Sequence, residues 1–150
     1  MSTTMAHKGP DRTARHGLEL TRVYHFSAGH RLESPALGAE ENARLYGDCA
    51  RPHGHNYYVE VTVAGPPDPR TGMLTDVARL DALVQRRLLD RVDHRTLETV
   101  PELAGVISSG EGLARAFWTI LAPALAPGSL RRVTVVETAK NRFEYRGEAS

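Results

Sequence analysis

Cysteine is scarce in this chain of 150 residues, where Cys49 is the single thiol. One cysteine cannot form an internal disulfide, so Cys49 is either a small buried residue or a reactive thiol. The chain also has no large excess of positive or negative charge, since the formal net charge is +1. Aromatic residues make up only 6%. A near-neutral chain lacks the field that attracts nucleic acid or membranes, and few aromatics argue against a base-stacking platform. We therefore expect no nucleic-acid partner and no membrane partner.

Long apolar runs are absent as well, because no stretch approaches the ~20 residues of a membrane-spanning helix. Residues 1–12 contain no apolar segment typical of a secretion signal, so we expect a cytoplasmic location. Residues 1–17 are polar and rich in Thr, Lys, Arg, Gly and Pro, which predicts a disordered tail. Residues 18–150 have the length expected of a single domain, and a hydrophobic fraction of 41% is ordinary for a globular protein.

Six secondary-structure elements are expected from the apolar pattern. Runs rich in β-branched residues predict strands over 18–26, 56–64, 130–137 and 142–146. Apolar stripes at helical spacing behind Asp76 and Ser109 predict helices over 76–91 and 110–122. The order β-β-α-α-β-β is typical of an α+β fold, in which a four-stranded antiparallel sheet carries two helices on one face.

The triplet His53-Gly54-His55 opens the second predicted strand. Residues two apart in a strand point to the same face, so the two imidazoles lie side by side, and Gly54 leaves the other face bare. His30 is the nearest candidate upstream for a third ligand. Three imidazoles form a catalytic zinc site with one open position, whereas Cys49 as a fourth ligand would close a structural site. Histidines without a metal are the remaining alternative.

Two further sets of residues, Cys49 and the pair Asp93-His94, each have both a chemical and a structural interpretation. Because Cys49 lies four residues before His53, a metal or an imidazolium beside it would make the thiol reactive. Asp93-His94 follows a helical stripe, where a carboxylate next to an imidazole can form part of a proton relay. A histidine at a helix end also has a plain role, because a cationic imidazole offsets the helix dipole.

Glu137 ends an apolar strand, where an unpaired carboxylate is costly. It can accept two hydrogen bonds from an amidine-like edge of a ligand, or it can lie exposed at the strand end. Ser109 and Glu111 stand at the start of the second predicted helix, where their plain role is to cap it.

Taken together, these motifs resemble the 6-pyruvoyl-tetrahydropterin synthase / 6-carboxy-tetrahydropterin synthase family. The resembling segments cover about residues 20–147 in the family's order. They are Phe26-Ser27-Ala28-Gly29-His30-Arg31-Leu32, Cys49 with His53-Gly54-His55-Asn56-Tyr57, residues 72–76, 89–97 and 109–114, and Val135-Val136-Glu137-Thr138 with Tyr145. One departure is Gly112, which stands where the family often has Asn.

The resemblance implies a role for each matching residue. The residues that match the family's zinc ligands are His30, His53 and His55. Those that match its general base and its relay are Cys49, Asp93 and His94. Glu137 matches the residue that anchors the pterin ring, with Ser109 and Glu111 near the pocket.

The resemblance also implies the tunnel fold, in which sheets from three subunits close a barrel and two trimers can stack. Sites then lie between subunits of a homo-oligomer, either a trimer or a dimer of trimers. The implied substrate is a pterin, 7,8-dihydroneopterin triphosphate.

The family has two branches with different products. Three residues separate Cys49 from His53, which favours the 6-carboxy branch, with loss of acetaldehyde and triphosphate for 7-deazapurine or queuosine synthesis. The flanks 45–47 and 55–57 look more like the 6-pyruvoyl branch, the alternative product. A pterin- or purine-binding module without turnover and a structural zinc protein are the alternatives of other classes.

Overall fold

One mixed β-sheet of five strands carries the fold. The computed structural model describes residues 17–148, so the tail predicted for residues 1–17 falls outside the described residues, apart from Gly17. The strands are β1 Glu19–His30, β2 His53–Ala64, β3 Arg95–Thr96, β4 Leu130–Thr138 and β5 Asn141–Tyr145. The helices are α1 Ala39–Tyr46, α2 Val77–Val84, α3 Asp90–Val92 and α4 Gly110–Leu121, and a π-helical turn, Gln85–Leu89, joins α2 to α3.

The strand order is β3-β1-β2-β4-β5. All neighbours are antiparallel except β3, which runs parallel to the end of β1. Phe26 lies opposite Tyr57, and Val59 lies opposite Val135, so the apolar residues of successive strands share one face. Phe26, Tyr57, Val59 and Val135 are fully buried on that face. Because side chains alternate along a strand, the register places the core on the helix side of the sheet.

The two longer helical segments begin at side-chain caps. The Asp76 carboxylate accepts from the Arg79 N–H at 3.2 Å, and the Ser109 hydroxyl oxygen accepts from the Gly112 N–H at 3.2 Å. Both bonds satisfy N–H groups that a helix start leaves without an internal partner. The helices bury an apolar stripe against the sheet, and burial of each large side chain contributes ~1.5–3 kcal/mol. The stripe comprises Leu80, Val84, Leu88, Val92, Leu113, Phe117 and Leu121.

The predicted α+β fold, with helices against one sheet, is confirmed, and its strands and helices need correction in three places. β1 and β2 are longer than expected and extend to His30 and from His53. The sheet has a fifth strand, β3, whose two residues are too few to show any apolar period. The helix predicted over 76–91 is instead made of α2, the π-helical turn and α3 in succession. Within the described part of the chain, no helix is long and apolar enough to cross a membrane.

Candidate metal centre and surrounding site

Three histidines meet at one end of the sheet. His30 closes β1 opposite His53, and Ala28 lies opposite His55, so the register places the three imidazoles on the same face. Their ring centroids lie 4.5, 4.9 and 5.1 Å apart. The candidate ligand nitrogens all lie within 4.8 Å of one another. The three predicted metal ligands are therefore brought together in one cluster.

The hydrogen bonds of this cluster leave nitrogen lone pairs for a cation. His30 Nδ1 lies 2.9 Å from the Ser108 carbonyl oxygen, and His53 Nδ1 lies 2.7 Å from the Arg51 carbonyl oxygen. A carbonyl can only accept, so both Nδ1 atoms carry the proton and both Nε2 atoms are acceptors. The Nε2 atoms of His30 and His55 are buried and have no hydrogen-bond partner in the described chain. A bound metal ion would satisfy them, which is the expected arrangement of a histidine site.

Burial favours the neutral form of two of these histidines. It lowers the pKa of His30 and of His55 below the ordinary value of 6.5, and the neighbouring His53 acts in the same direction. A lower pKa favours the neutral imidazole, which is the form that binds a metal.

A carboxylate lies beside the histidines. Glu137 Oε1 is 3.8 Å from His55 Nε2, and the Glu137 side chain is 17% exposed. Beneath them, Tyr57 is fully buried, and its hydroxyl has no hydrogen-bond partner among residues 17–148. Burial raises the pKa of Tyr57, and the charges of Glu137 and Glu98 raise it further. Glu137 is thus next to the cluster and available to a ligand.

Asp93 and His94 form a bonded pair next to β1. His94 Nδ1 lies 3.0 Å from Asp93 Oδ1, which also accepts from the Ser27 N–H at 3.0 Å. The Ser27 bond holds the pKa of Asp93 below its ordinary value, with a smaller contribution from His94. The His94 N–H donates to the Ser27 carbonyl oxygen at 2.7 Å, and the residue has φ 56°, in the left-handed region that non-glycine residues rarely occupy.

Cys49 and the pair Asp93 and His94 lie in different segments of the described chain. His94 lines a cavity of about 500 Å³ that His55 of the histidine cluster also lines. Ser27, Gly29, Gly54 and Asn56, which alternate along β1 and β2 with the clustered histidines, form much of the rest of its lining. Cys49 is exposed in a 3₁₀ turn, Gly47–Ala50, and its carbonyl accepts from the Leu32 N–H at 2.8 Å. Among residues 17–148, no hydrogen bond connects Cys49 to Asp93 or His94.

The remaining predicted site residues lie at the start of α4. Ser109 caps the helix through its hydroxyl oxygen, so its plain role is the one observed. Glu111 lies exposed in the first turn, where a negative charge favours the helix dipole.

Two residues of this site were missed by the sequence patterns. Ser108 is 5% exposed and lies between His30 and Glu98. Ser108 and Glu98 lie 10 residues apart in the connection between β3 and α4, and Ser108 is 78 residues from His30, so no spacing rule relates them to His30. A serine directly before the helix cap Ser109 is the only sequence signal, and it is a weak one.

Comparison with known proteins is consistent with this geometry. Residues 19–148 match the family model described as 6-pyruvoyl tetrahydropterin synthase. The 6-pyruvoyl tetrahydrobiopterin synthase of Dictyostelium discoideum is 40% identical over 130 residues, which are 86% of this chain and 96% of that protein. The human protein of the same name is 42% identical over 133 residues, 87% and 92% of the two chains. The structure of Caenorhabditis elegans 6-pyruvoyl tetrahydropterin synthase is similar with a TM-score of 0.78 and 36% identity, and the match covers 87% of this chain and 96% of that one.

The same comparisons show that the expected 6-carboxy branch is wrong. The 6-carboxy-5,6,7,8-tetrahydropterin synthase of Aquifex aeolicus is only 27% identical over 160 residues, 87% of this chain and 98% of that protein. The relatives at 40–42% identity carry the 6-pyruvoyl name. The gap of three residues between Cys49 and His53 is evidence from one turn only. Sequence identity over the aligned length uses the whole domain and is therefore the stronger evidence for the branch. The expected link to 7-deazapurine or queuosine synthesis falls with that branch.

Proposed function

Because the chain belongs to the 6-pyruvoyl tetrahydropterin synthase family, we propose that it converts 7,8-dihydroneopterin triphosphate to 6-pyruvoyl-tetrahydropterin. The reaction eliminates triphosphate and isomerises the substrate side chain. The observation that carries this proposal is the cluster of three histidines whose buried Nε2 atoms, on His30 and His55, have no partner in the described chain. That cluster is the feature a metal-assisted reaction of a hydroxylated side chain requires.

The cluster would hold a zinc ion through His30, His53 and His55. Three neutral imidazoles are a typical catalytic set, because they leave one position open for substrate. When bound, zinc stabilises negative charge that develops on the side-chain hydroxyl oxygens of the substrate. The protein's part is to aim the imidazoles at one point, which the Nδ1 hydrogen bonds of His30 and His53 support. Burial lowers the pKa of His30 and of His55, which favours their neutral form.

Cys49 would act as the general base, and Asp93 with His94 would relay the proton. The exposed thiol is accessible to a substrate at the metal. The bond from His94 Nδ1 to Asp93 keeps the other ring nitrogen of His94 free to exchange a proton. Since no hydrogen bond among residues 17–148 joins Cys49 to this pair, a neighbouring subunit would bring the relay to the thiol.

Assembly of several chains is supported by the free edges of the sheet. β5 is an edge strand, and β3 covers β1 only at Ala28 and Gly29, so within residues 17–148 most of the β1 edge is unpaired. Closing such edges into a barrel satisfies their backbone groups. A homo-oligomer, either a trimer or a dimer of trimers, would then place each site between subunits.

Glu137 would anchor the pterin ring beside the metal. Its carboxylate lies 3.8 Å from His55 Nε2, so a ring bound to Glu137 would place its side chain near the cluster. Ser109 and Glu111 would line the same pocket from the start of α4, while Ser109 also caps that helix.

The test is to incubate the zinc-loaded protein with 7,8-dihydroneopterin triphosphate and to identify products by mass spectrometry. We expect 6-pyruvoyl-tetrahydropterin and free triphosphate. Cys49→Ala should keep the fold and the zinc but lose turnover, whereas His53→Ala should lose the zinc. Unchanged substrate in the presence of fully loaded protein, or a product that has lost acetaldehyde, would overturn the proposal.

A further inference from the structure

His30 differs from the other two metal histidines in what holds its outer nitrogen. The residue is 2% exposed, and its Nδ1 lies 2.9 Å from the Ser108 carbonyl oxygen and 3.2 Å from the Ser108 hydroxyl oxygen. One residue therefore presents two acceptors to one N–H. Among the described residues, His53 Nδ1 has a single acceptor, the carbonyl oxygen of Arg51, two residues earlier in the chain.

The Ser108 hydroxyl is itself directed by a carboxylate. Ser108 Oγ lies 2.7 Å from Glu98 Oε1 and 3.3 Å from the Arg31 carbonyl oxygen. A hydroxyl donates one proton, and we infer that Ser108 donates it to Glu98, which is the nearer and the charged acceptor. Because the Ser108 O–H donates to Glu98 Oε1, the lone pairs of the Ser108 oxygen remain available to accept from His30 Nδ1.

Glu98 is held in place from two sides. The same Oε1 atom accepts from the Arg31 N–H at 3.0 Å, and Arg31 directly follows His30. Glu98 lies in the 3₁₀ turn Leu97–Thr99 immediately after β3, and β3 is tied to β1 by the pairing of Ala28 with Arg95. The short parallel strand therefore delivers the carboxylate to the end of β1 where His30 lies.

We propose that Glu98 is a positioning residue that acts through Ser108 on the metal ligand His30. The chain Glu98–Ser108–His30 fixes the proton of the imidazole on Nδ1 and aims the Nε2 lone pair at the metal. A carboxylate at the far end also makes the imidazole a stronger donor, as outer hydrogen bonds do in metal sites. This inference rests on the proposed metal centre and adds the device that orients one of its ligands.

The test compares zinc affinity, measured by competition with a chromophoric chelator, between the whole wild-type chain and its variants. We expect Glu98→Ala and Ser108→Ala each to weaken zinc binding by about 10–100-fold. Glu98→Gln keeps an acceptor for Ser108 and Arg31 but loses the charge, so its loss should be smaller. Because the two residues act in series, the double alanine variant should bind zinc no more weakly than either single variant.

The matched control is Glu102→Ala, which removes a carboxylate four residues away. Glu102 pairs with Arg91 at 3.3 Å, so zinc affinity should be unchanged in this variant. Absorption spectra of the Co²⁺-loaded proteins give a second readout, since a tilted His30 alters the ligand field while a merely structural loss does not. Thermal unfolding of each metal-free variant separates loss of folding from loss of the ligand's orientation.

The outcomes separate this inference from the metal site itself. If wild type binds one zinc per chain and Glu98→Ala and Ser108→Ala keep its affinity and the Co²⁺ spectrum, the positioning role is overturned and the metal site stands. The positioning role would also be overturned if the loss of zinc affinity in the double variant equalled the product of the losses in the two single variants. If wild type binds no zinc, or His53→Ala binds zinc as wild type does, both proposals fall.

Discussion

Substitution of Gly112 by alanine should destabilise the protein although it favours the helix. Gly112 is the third residue of α4, and its φ lies outside the left-handed region, so alanine meets no backbone strain. A Cβ at this position would overlap the Ile107 carbonyl oxygen and lie 3.2 Å from the Ile107 carbonyl carbon. The obstacle is backbone, which cannot rotate away as a side chain end can.

The size of the effect follows from two opposing contributions. Alanine in place of glycine favours a helix by up to about 1 kcal/mol. An added methyl group in a filled space costs about 1–3 kcal/mol, and an overlap with backbone belongs at the upper end. The free energy of unfolding should therefore fall by about 2 kcal/mol, which lowers the melting temperature by about 4–8 °C for a chain of this length.

The displacement should also reach the metal site. Ile107 directly precedes Ser108, whose carbonyl accepts from His30 Nδ1. We expect Gly112→Ala to weaken zinc binding as well as folding.

The assay is urea unfolding of the metal-free protein at one fixed concentration, followed by chelator competition for zinc. Gly65→Ala is the matched control, because its Cβ would meet only the flexible Leu74 side chain, at 3.4 Å. That variant should change the free energy of unfolding by less than about 1 kcal/mol. If Gly112→Ala unfolds at the wild-type urea concentration or above it, the close packing of Ile107 against α4 is refuted.

Three further predictions concern stability. Asp81→Asn should lower stability at pH 7, because Arg22 and then Tyr24 hold the pKa of Asp81 below its ordinary value of 3.8. A lowered folded pKa means that this contribution is present above pH 3.8 and is lost as pH falls through the folded value, so urea curves of variant and wild type should converge in acid. Phe117→Ala empties a fully buried position and should cost about 3–5 kcal/mol in urea unfolding; a loss below 1 kcal/mol would contradict its place in the core. Tyr57→Phe removes a buried hydroxyl without a partner in the described chain and should leave stability unchanged or raise it by about 1 kcal/mol, whereas a clear loss would mean that the hydroxyl is satisfied.

Much of the fold could be predicted because its elements are local patterns. The two helical stripes and the four longer strands each repeat an apolar period over several residues, and the caps Asp76 and Ser109 mark where helices begin. β3 could not be found in this way, since a two-residue strand exists only because Arg95 and Thr96 lie beside β1. The π-helical turn was missed for a different reason, because the apolar residues keep nearly the same spacing through it.

The product of the reaction was predicted from too little of the chain. The gap between Cys49 and His53 favoured the 6-carboxy branch, and the relatives with 40–42% identity carry the other name. A loop can lose or gain residues without altering the pocket that selects a product, so its length is a poor guide. The flanking residues 55–57, which pointed to the 6-pyruvoyl side, lie in a strand whose register is constrained by its partners.

The sequence by itself predicted which three histidines, His30, His53 and His55, lie together in the structure. A His-Gly-His triplet at the start of a strand places two imidazoles on one face, and Gly54 admits the Ala28 carbonyl of the neighbouring strand, which a Cβ would meet at 3.3 Å. Only the tertiary structure decided how His30 is held and that, among residues 17–148, no hydrogen bond joins Cys49 to Asp93 or His94. The physical reason is that alternation along a strand is a local property, whereas the bonds of Ser108 and Glu98 join segments that the folded sheet alone brings together.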